Sequence, residues 1–452
     1  MLPLENLTGD PSEEYFTEGL TDALITTLAE LHGLRVISRT SVLQYTGRRV
    51  PVPQIAKELS VDVVVKGAVV RSGRRVRIAT QLIEASTDRQ FWANSYDGDL
   101  KDILRLRSDV AAAIVSQIRI NLTPNERSRL ARARQIDPEA YEAYQKGRYF
   151  FDKGPASQRK AVQHFRRAIE KDPAYAEAYA WLSTFYLMQS ANASTDTKES
   201  MAEARAAASK ALELDDNLAE AHTALAAILH RYDWNWTEAE AEFKRALELN
   251  PSSSETHRQY AVFLKCLRRF DEAIAEGTKA QALDPLSFGV IDSLGLVFYF
   301  TRQYDRAIEQ ARRALELDPN HSSPHALLGM VYGQNGNLPL AVQELEKSLA
   351  FSERRHLVQL GTLGYMYARA GDRVRALRIL DELKQTSAHG HLLNYGMAVI
   401  HAGLNEPEQA LDWLERGWRE HSFQLANLDV DPVLDSLRSH PRFRELVRRI
   451  GL

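Results

Sequence analysis

Residues 251–285 read PSSSETHRQYAVFLKCLRRFDEAIAEGTKAQALDP, and residues 285–319 repeat the arrangement with other letters, PLSFGVIDSLGLVFYFTRQYDRAIEQARRALELDP. In the first copy a large and a small side chain, Tyr260 and Ala261, stand one helical turn before Leu264. Ala273, Gly277 and Ala280 then recur at steps of four and three, a stripe of small residues that lets two helix backbones approach closely. Pro285 follows at the point where a helix must stop. The second copy supplies Leu294, Gly295 and Phe298, then Ala307, Ala311, Ala314 and Pro319.

Outward from this stretch the register holds at 34 residues. Ala239, Ala273, Ala307 and Ala341 align, as do Ala246, Ala280, Ala314 and Ser348. Ala261, Gly295 and Gly329 form another column, and Leu264, Phe298 and Tyr332 a fourth. A 34-residue repeat is the tetratricopeptide period. Upstream, Ala161, Phe165, Ala168 and Pro173, then Ala204, Ala208 and Ala211, keep the second-helix spacing, with a polar insertion around Ser190–Ser200. Downstream, Leu363, Gly364, Tyr367, Ala376, Leu380 and Leu383 form a unit slipped by one residue, and Ala410 and Leu414 mark a degenerate last one. The reading is an all-α superhelical solenoid over 140–422, about eight helical pairs where roughly three suffice for stability. Residues 423–452 are expected to end it as a capping helix, with Phe443, Leu446, Val447 and Ile450 on one face and Arg442, Arg444, Arg448 and Arg449 on the other. A basic partner-binding helix is the alternative.

Residues 1–120 have a different rhythm. Helices are expected at 13–31, 52–59 and 100–120. Strands are expected at 34–38, 62–70, 75–83 and 89–96, giving an α/β domain with a mixed sheet. Residues 121–139 read as a helical linker. The segments LPLENLTGDPSEEYFTEGLTDALITTLAEL, LRVISRTSV and IAKELSVDVVVKGAVVRSGRRVRIATQLIEASTDRQFWANSYDGDL resemble the TolB-like amino-terminal domain of bacterial signalling proteins. AYEAYQKGRYFF and LRSHPRF are similar to the tetratricopeptide region of the same proteins. The resemblance implies an output module elsewhere: a winged-helix DNA-binding domain of the CadC-like kind, a class III adenylate cyclase or a serine/threonine kinase. That family carries apolar residues ahead of the LPF segment as a first central strand, and Met1 stands in their place here. The expectation is therefore a fragment, a mis-set start, or a member that lost its output module.

Composition narrows the function. The 57 basic and 60 acidic residues leave a net charge of −3, and residues 1–135 hold 19 against 16. No nucleic-acid-binding field follows, and direct nucleic-acid binding by this chain is not expected. The basic hairpin of Arg71, Arg74, Arg75 and Arg77 lacks interleaved aromatics and reads as a solvated turn. With Cys266 the single cysteine, no disulfide or cysteine metal cluster can form; it reads as a small buried residue. The histidines look scattered, and His389 with His391 lacks further ligands, so no metal is expected. There is no phosphate loop, kinase catalytic loop or nucleophile elbow, and no cofactor is expected. Thr8-Gly9-Asp10 and Ser38-Arg39-Thr40-Ser41 are short enough to be turns and helix caps rather than an anion site. Trp234 and Trp236 read as packing residues. A cytoplasmic location is expected, without a membrane segment.

The function expected is a non-catalytic protein-interaction scaffold, as the sensory or regulatory part of a bacterial signalling or transcription-regulatory system, and homo-oligomerisation is open. The alternative is a fragment of a transcription regulator, adenylate cyclase or protein kinase. The first helices of the pairs line the concave side. They are expected to present Arg231, Arg258, Lys265, Asp292, Tyr299, Phe300, Met330, Gln334, Tyr365 and Arg369 to a protein or peptide. Tetratricopeptide repeats that grip a carboxyl terminus use a lysine/asparagine clamp. Val262 and Leu296 stand where asparagine would be needed, so an internal peptide or a folded partner is preferred.

Overall fold

The structure is a computed structural model describing residues 1–131, 135–191, 197–352, 357–385 and 391–452. His389 lies outside the described residues, as does much of the insertion around Ser190–Ser200.

The amino-terminal region forms a four-stranded mixed sheet in the order β1 (Glu5–Asn6), β2 (Val63–Ser72), β3 (Arg75–Glu84), β4 (Arg89–Asp99). β1 runs parallel to β2, with Glu5 opposite Ala68, and the other neighbours are antiparallel. The first strand is short, but its flanks extend the pairing: Leu2 N–H donates to Val65 O at 2.8 Å and Leu7 N–H to Val69 O at 3.0 Å. Between them come α1 (Glu14–Ala29), α2 (Arg39–Leu43) and α3 (Val52–Leu59), and after the sheet α4 (Ile103–Ile118). Asp10 caps the entry to α1 by accepting from Ser12 N–H at 2.8 Å.

No strand forms at 34–38. The apolar residues there pointed to one, but their backbone groups bond to distant loops instead. Ser38 N–H donates to Leu283 O at 2.8 Å, and the Ser252 hydroxyl donates to Leu34 O at 3.0 Å. A segment whose polar groups are satisfied outside the sheet has no need to join it.

Among the described residues, helix α5 (Pro124–Ala131) leads into sixteen helices paired in sequence. The pairs are α6 (Pro138–Asp152) with α7 (Pro155–Lys171), α8 (Ala176–Ala191) with α9 (Thr197–Leu214), and α10 (Ala219–Ile228) with α11 (Trp236–Leu249). Next come α12 (Ser254–Cys266) with α13 (Phe270–Leu283), α14 (Phe288–Phe300) with α15 (Tyr304–Leu317), and α16 (Ser322–Gln334) with α17 (Leu338–Phe351). The last two are α18 (Leu357–Arg369) with α19 (Arg373–Gln385) and α20 (His391–Gly403) with α21 (Pro407–Arg419). Six of these pairs turn on one left-handed residue: Trp234, Arg268, Arg302, Gly336, Gly371 and Asn405. The positions repeat at 34 residues with a single slip before Gly371. The small-residue columns lie in the contacts: Ala239, Ala273, Ala307 and Ala341 are fully buried.

Where α18 crosses α20, Gly361 and Gly396 bring backbone against backbone; a Cβ on Gly361 would stand 2.7 Å from Gly396 Cα. Gly361→Ala is expected to cost about 1–3 kcal/mol, because the obstacle is main chain and the helices must part. Urea unfolding of the variant measures this, and a loss below 0.5 kcal/mol, on the order of the effect of a surface substitution, would show that the crossing yields freely.

The stretch expected to link two separate units is instead a packed seam. Arg129 donates to Leu249 O at 3.0 Å and Glu30 O at 2.9 Å, and Ile136 joins a core that runs from Phe16 and Leu24 to Tyr141 and Tyr175. The sheet domain and the first two helix pairs therefore share one apolar interior.

The carboxy-terminal segment also departs from expectation. Only Pro441–Arg449, α22, is helical in the ordinary sense, and two 3-10 turns, Phe423–Asn427 and Pro432–Leu437, precede it. Pro432 and a run of aspartates break the helical rhythm there. α22 covers α21, with Arg442 spread over Glu408, Asp412 and Glu415 at 2.7–2.9 Å. The turns before it run back along the inside of the array. Among the described residues no helix is long and apolar enough to cross a membrane.

Candidate functional site

The first helices of successive pairs face inward and enclose a cavity of 420 Å³. Seven of the ten expected concave-face residues line it: Arg231, Arg258, Lys265, Asp292, Phe300, Met330 and Tyr365. The other three belong to packing between neighbouring first helices. Tyr299 is fully buried and its hydroxyl accepts from Gln334 Nε2 at 3.3 Å, while Arg369 donates to Gly333 O at 3.4 Å. Val262 and Leu296, which excluded a carboxylate clamp, are apolar wall.

The groove is not open, because the chain's own tail lies in it. Lys265 Nζ donates to Asn427 Oδ1, and Tyr395 donates its hydroxyl proton to Asp431. The left-handed turn residues reach the same segment. Arg268 meets Asp429 at 3.4 Å, Arg302 meets both oxygens of Asp435 at 2.8 Å, and Trp234 stacks on His421 with centroids 5.3 Å apart. Glycine would enter that conformation without strain. The side chains present there instead hold the tail. Trp236 donates to Ile450 O at 2.6 Å, so both tryptophans contact the tail, beyond the core packing expected of them. Sequence reasoning missed Tyr395, Asn427, Asp429, Asp431 and Asp435, which no motif marks.

Burial shapes the electrostatics. Lys265 is 4% exposed, and desolvation lowers its proton affinity; its ammonium sits 4.1 Å over the Phe300 ring. Burial pushes the Asp292 and Asp431 carboxyls up and the His230 imidazole well down. Desolvation also lowers the Arg258 guanidinium, but Glu255 outweighs it and the group ends raised. Cys266 is buried as expected, and burial raises its thiol. The cavity wall thus carries buried charges fixed in place by their neighbours.

Other sequence candidates fall elsewhere. Ser41 Oγ donates to Asp284 at 2.5 Å and accepts from Leu286 N–H at 3.0 Å, so the Ser38–Ser41 segment docks the sheet domain onto the array. In the basic hairpin Arg74 and Arg77 pair with Asp99 and Asp97. Arg71 is not a solvated turn residue: it is largely buried and bridges Glu13 and Glu142, which joins the sheet domain to α6. Among the described residues no group of three or more His, Cys, Asp or Glu is placed to hold a metal ion.

Three histidines are not scattered at all. His222, His257 and His325 open the first helices of their pairs, and each binds a glutamate of the second helix, Glu242, Glu276 and Glu344. Each Nε2 also contacts a carbonyl six residues back. The glutamates follow the 34-residue step; at the intermediate pair Ile291 and Gln310 occupy the corresponding positions. Burial pushes Glu276 and Glu344 up, but hydrogen bonds from the histidines and from Lys279 and Lys347 outweigh it and hold both below the ordinary carboxylate range. Their contribution to stability is therefore present above that range and lost as pH falls through their folded values. His257→Ala is expected to cost about 1–3 kcal/mol near neutral pH by stranding Glu276. The double variant Glu276→Gln/Glu344→Gln should show a shallower fall of melting temperature below about pH 4.5 than the parent. Parallel acid limbs in thermal melts would remove these carboxylates from the account.

The tetratricopeptide repeat family model matches residues 225–288 and 293–354. “Putative adenylate cyclase 3” of Rhizobium meliloti is 33% identical over 231 residues, 51% of this chain and 39% of that protein. The chain thus spans well under half the length of the curated relative it matches. Solved structures to which the chain is similar include pilF of Pseudomonas aeruginosa, with 24% identity, coverage of 47% and 92% and a TM-score of 0.37. Another is a tetratricopeptide repeat protein of Parabacteroides merdae, with 15% identity, coverage of 70% and 99% and a TM-score of 0.38. The helix pairs within 225–354 are tetratricopeptide repeats, a fold that serves protein interaction.

Proposed function

We propose that this chain is the regulatory part of a bacterial signalling protein, with residues 1–120 as a TolB-like domain and the helix array as the surface that receives a protein partner. The observation that carries this is the likeness over half of this chain to the relative named “Putative adenylate cyclase 3”, which is more than twice as long as the matched region. Among the outputs that accompany such a pair of domains, a cyclase module is favoured on that ground. The shared core between the sheet domain and the first helix pairs supports a coupling role, since neither can shift without the other. The partner surface proposed is the mouth of the concave face between Arg231 and Tyr365, with the seated tail as one of its walls.

The test is reconstitution. The genomic DNA before Met1 is read in frame, and the module it encodes is expressed with and without residues 1–452. Cyclic AMP formation from magnesium ATP is expected to change when the chain is present, and Arg258→Glu with Lys265→Glu is expected to abolish the change. An upstream reading without any output pattern, or an output indifferent to the chain, ends this proposal.

A further inference from the structure

The cavity beneath the tail has the volume of a small-molecule site, and its two ends differ. At one end a π-helical turn, Leu229–Asp233, faces the tail turn Phe423–Asn427. Single π-turns interrupt a helix at a cost and recur at functional sites. This one sets His230 and Arg231 side by side on the cavity wall. His230 is 2% exposed, its ring is held against Trp236 and Phe263, and its Nε2 has no hydrogen-bond partner. Gln424, 5% exposed, enters from the tail; its Oε1 accepts from Ser422, and its Nε2 amide is left without an acceptor.

Arg231 makes no hydrogen bond or ion pair with the described residues. The carboxylates nearby are committed. Ser323 donates to Asp292, Tyr395 and the Val433 N–H donate to Asp431, and Arg258 with Gln259 holds Glu255. The opposite wall is apolar, built from Val262, Leu296, Met330, Val358 and Val399. Gln359 adds one unpartnered acceptor, Oε1. Only the through-space field of Glu255, itself held by Arg258, opposes the Arg231 charge, and a guanidinium with no hydrogen-bonded partner beside an amide N–H without an acceptor costs free energy that a bound anion recovers.

We propose that this cavity binds a small organic anion, its carboxylate or sulfonate head held by Arg231 and Gln424 and its apolar body lying along the Val262–Met330 wall. Such a ligand touches array and tail together, so it binds the seated form of the tail and holds it closed by mass action. The inference stands apart from the signalling proposal, because a cyclase partner is not needed for the site to fill.

Octanoate and its uncharged counterpart 1-octanol are the probes, titrated calorimetrically into the full chain and its variants. Octanoate is expected to bind one to one, at least tenfold more tightly than 1-octanol, and to raise the melting temperature. Arg231→Met should weaken octanoate at least tenfold and leave 1-octanol unchanged, Arg231→Lys should retain most octanoate affinity, and Met330→Trp should abolish both while the circular dichroism spectrum is kept. The proposal is overturned if octanoate shows no saturable binding, if the two probes bind alike, or if Arg231→Met binds octanoate as the parent does. Should Arg231→Met fail to fold, the comparison of probes on the parent chain and on Met330→Trp decides alone.

Discussion

Deleting residues 423–452 is expected to unravel the last helix pairs rather than open a groove on an otherwise intact array. Leu425, Leu428, Val430, Leu434, Leu437, Phe443, Leu446 and Ile450 are each no more than 3% exposed. Their burial represents on the order of 10–20 kcal/mol of gross apolar stabilisation, comparable with the net stability of a whole domain. The deletion also uncovers Met397, Ile400, Leu411 and Leu414, which share that core. The melting temperature should fall by more than about 10 °C, and hydrogen exchange should become fast across α18 to α21 while α6 to α9 stay protected. If the shortened chain melts like the parent with its exchange protection intact, the tail is a loose strap, and the packing account given above is wrong.

The second large effect is expected at Arg148, which is 8% exposed on α6. Its guanidinium pairs with Asp22 of α1 at 2.8 Å and lies 3.5 Å from the centroid of the Trp181 ring on α8. One side chain thus ties the sheet domain to the first two helix pairs. Arg148→Ala removes the cation but leaves Asp22 in its partly buried place, and breaking a buried pair from one side costs about 3–5 kcal/mol. Urea titration should show a lower midpoint, and a second transition should appear if the sheet domain then unfolds by itself. Adding Asp22→Asn should recover part of the loss. A cost under 1 kcal/mol, or no recovery, would assign the domain contact to the apolar core alone.

The repeats were legible because their cause is local and recurs: a small residue must stand wherever two helices touch, and the touching points come round every 34 residues. The same shift, applied to polar residues, would have exposed the histidine–glutamate rungs. They escaped because Ile291 interrupts the series and His222 stands one residue out of step. The tail resisted reading for a different reason. Phe443, Leu446 and Ile450 announced α22, but nothing near Asn427 or Asp431 tells of Lys265 or Tyr395, since those contacts are made across 162 and 36 residues. The error at 34–38 has the same origin: apolar residues imply burial, and the loops at 252 and 283 decided what buried them. The seven residues found around one cavity were placed by repeat geometry, which also explains why it gave no hint that the cavity has a lid.

The bond from Trp236 to Ile450 spans 214 residues. A stack of repeats ordinarily matures pair by pair as it leaves the ribosome, each unit needing only its neighbour. Here the inner wall waits for residues 423–450, long after Trp236, and the Ser38–Ser41 face of the sheet domain waits for residues 283–286. Newborn chains therefore pass through a stage with a greasy interior uncovered, during which helper proteins or a wrong neighbour can reach it. Fusing a bulky tag directly behind Leu452 should lengthen that stage and lower the yield of folded protein more than the same tag before Met1.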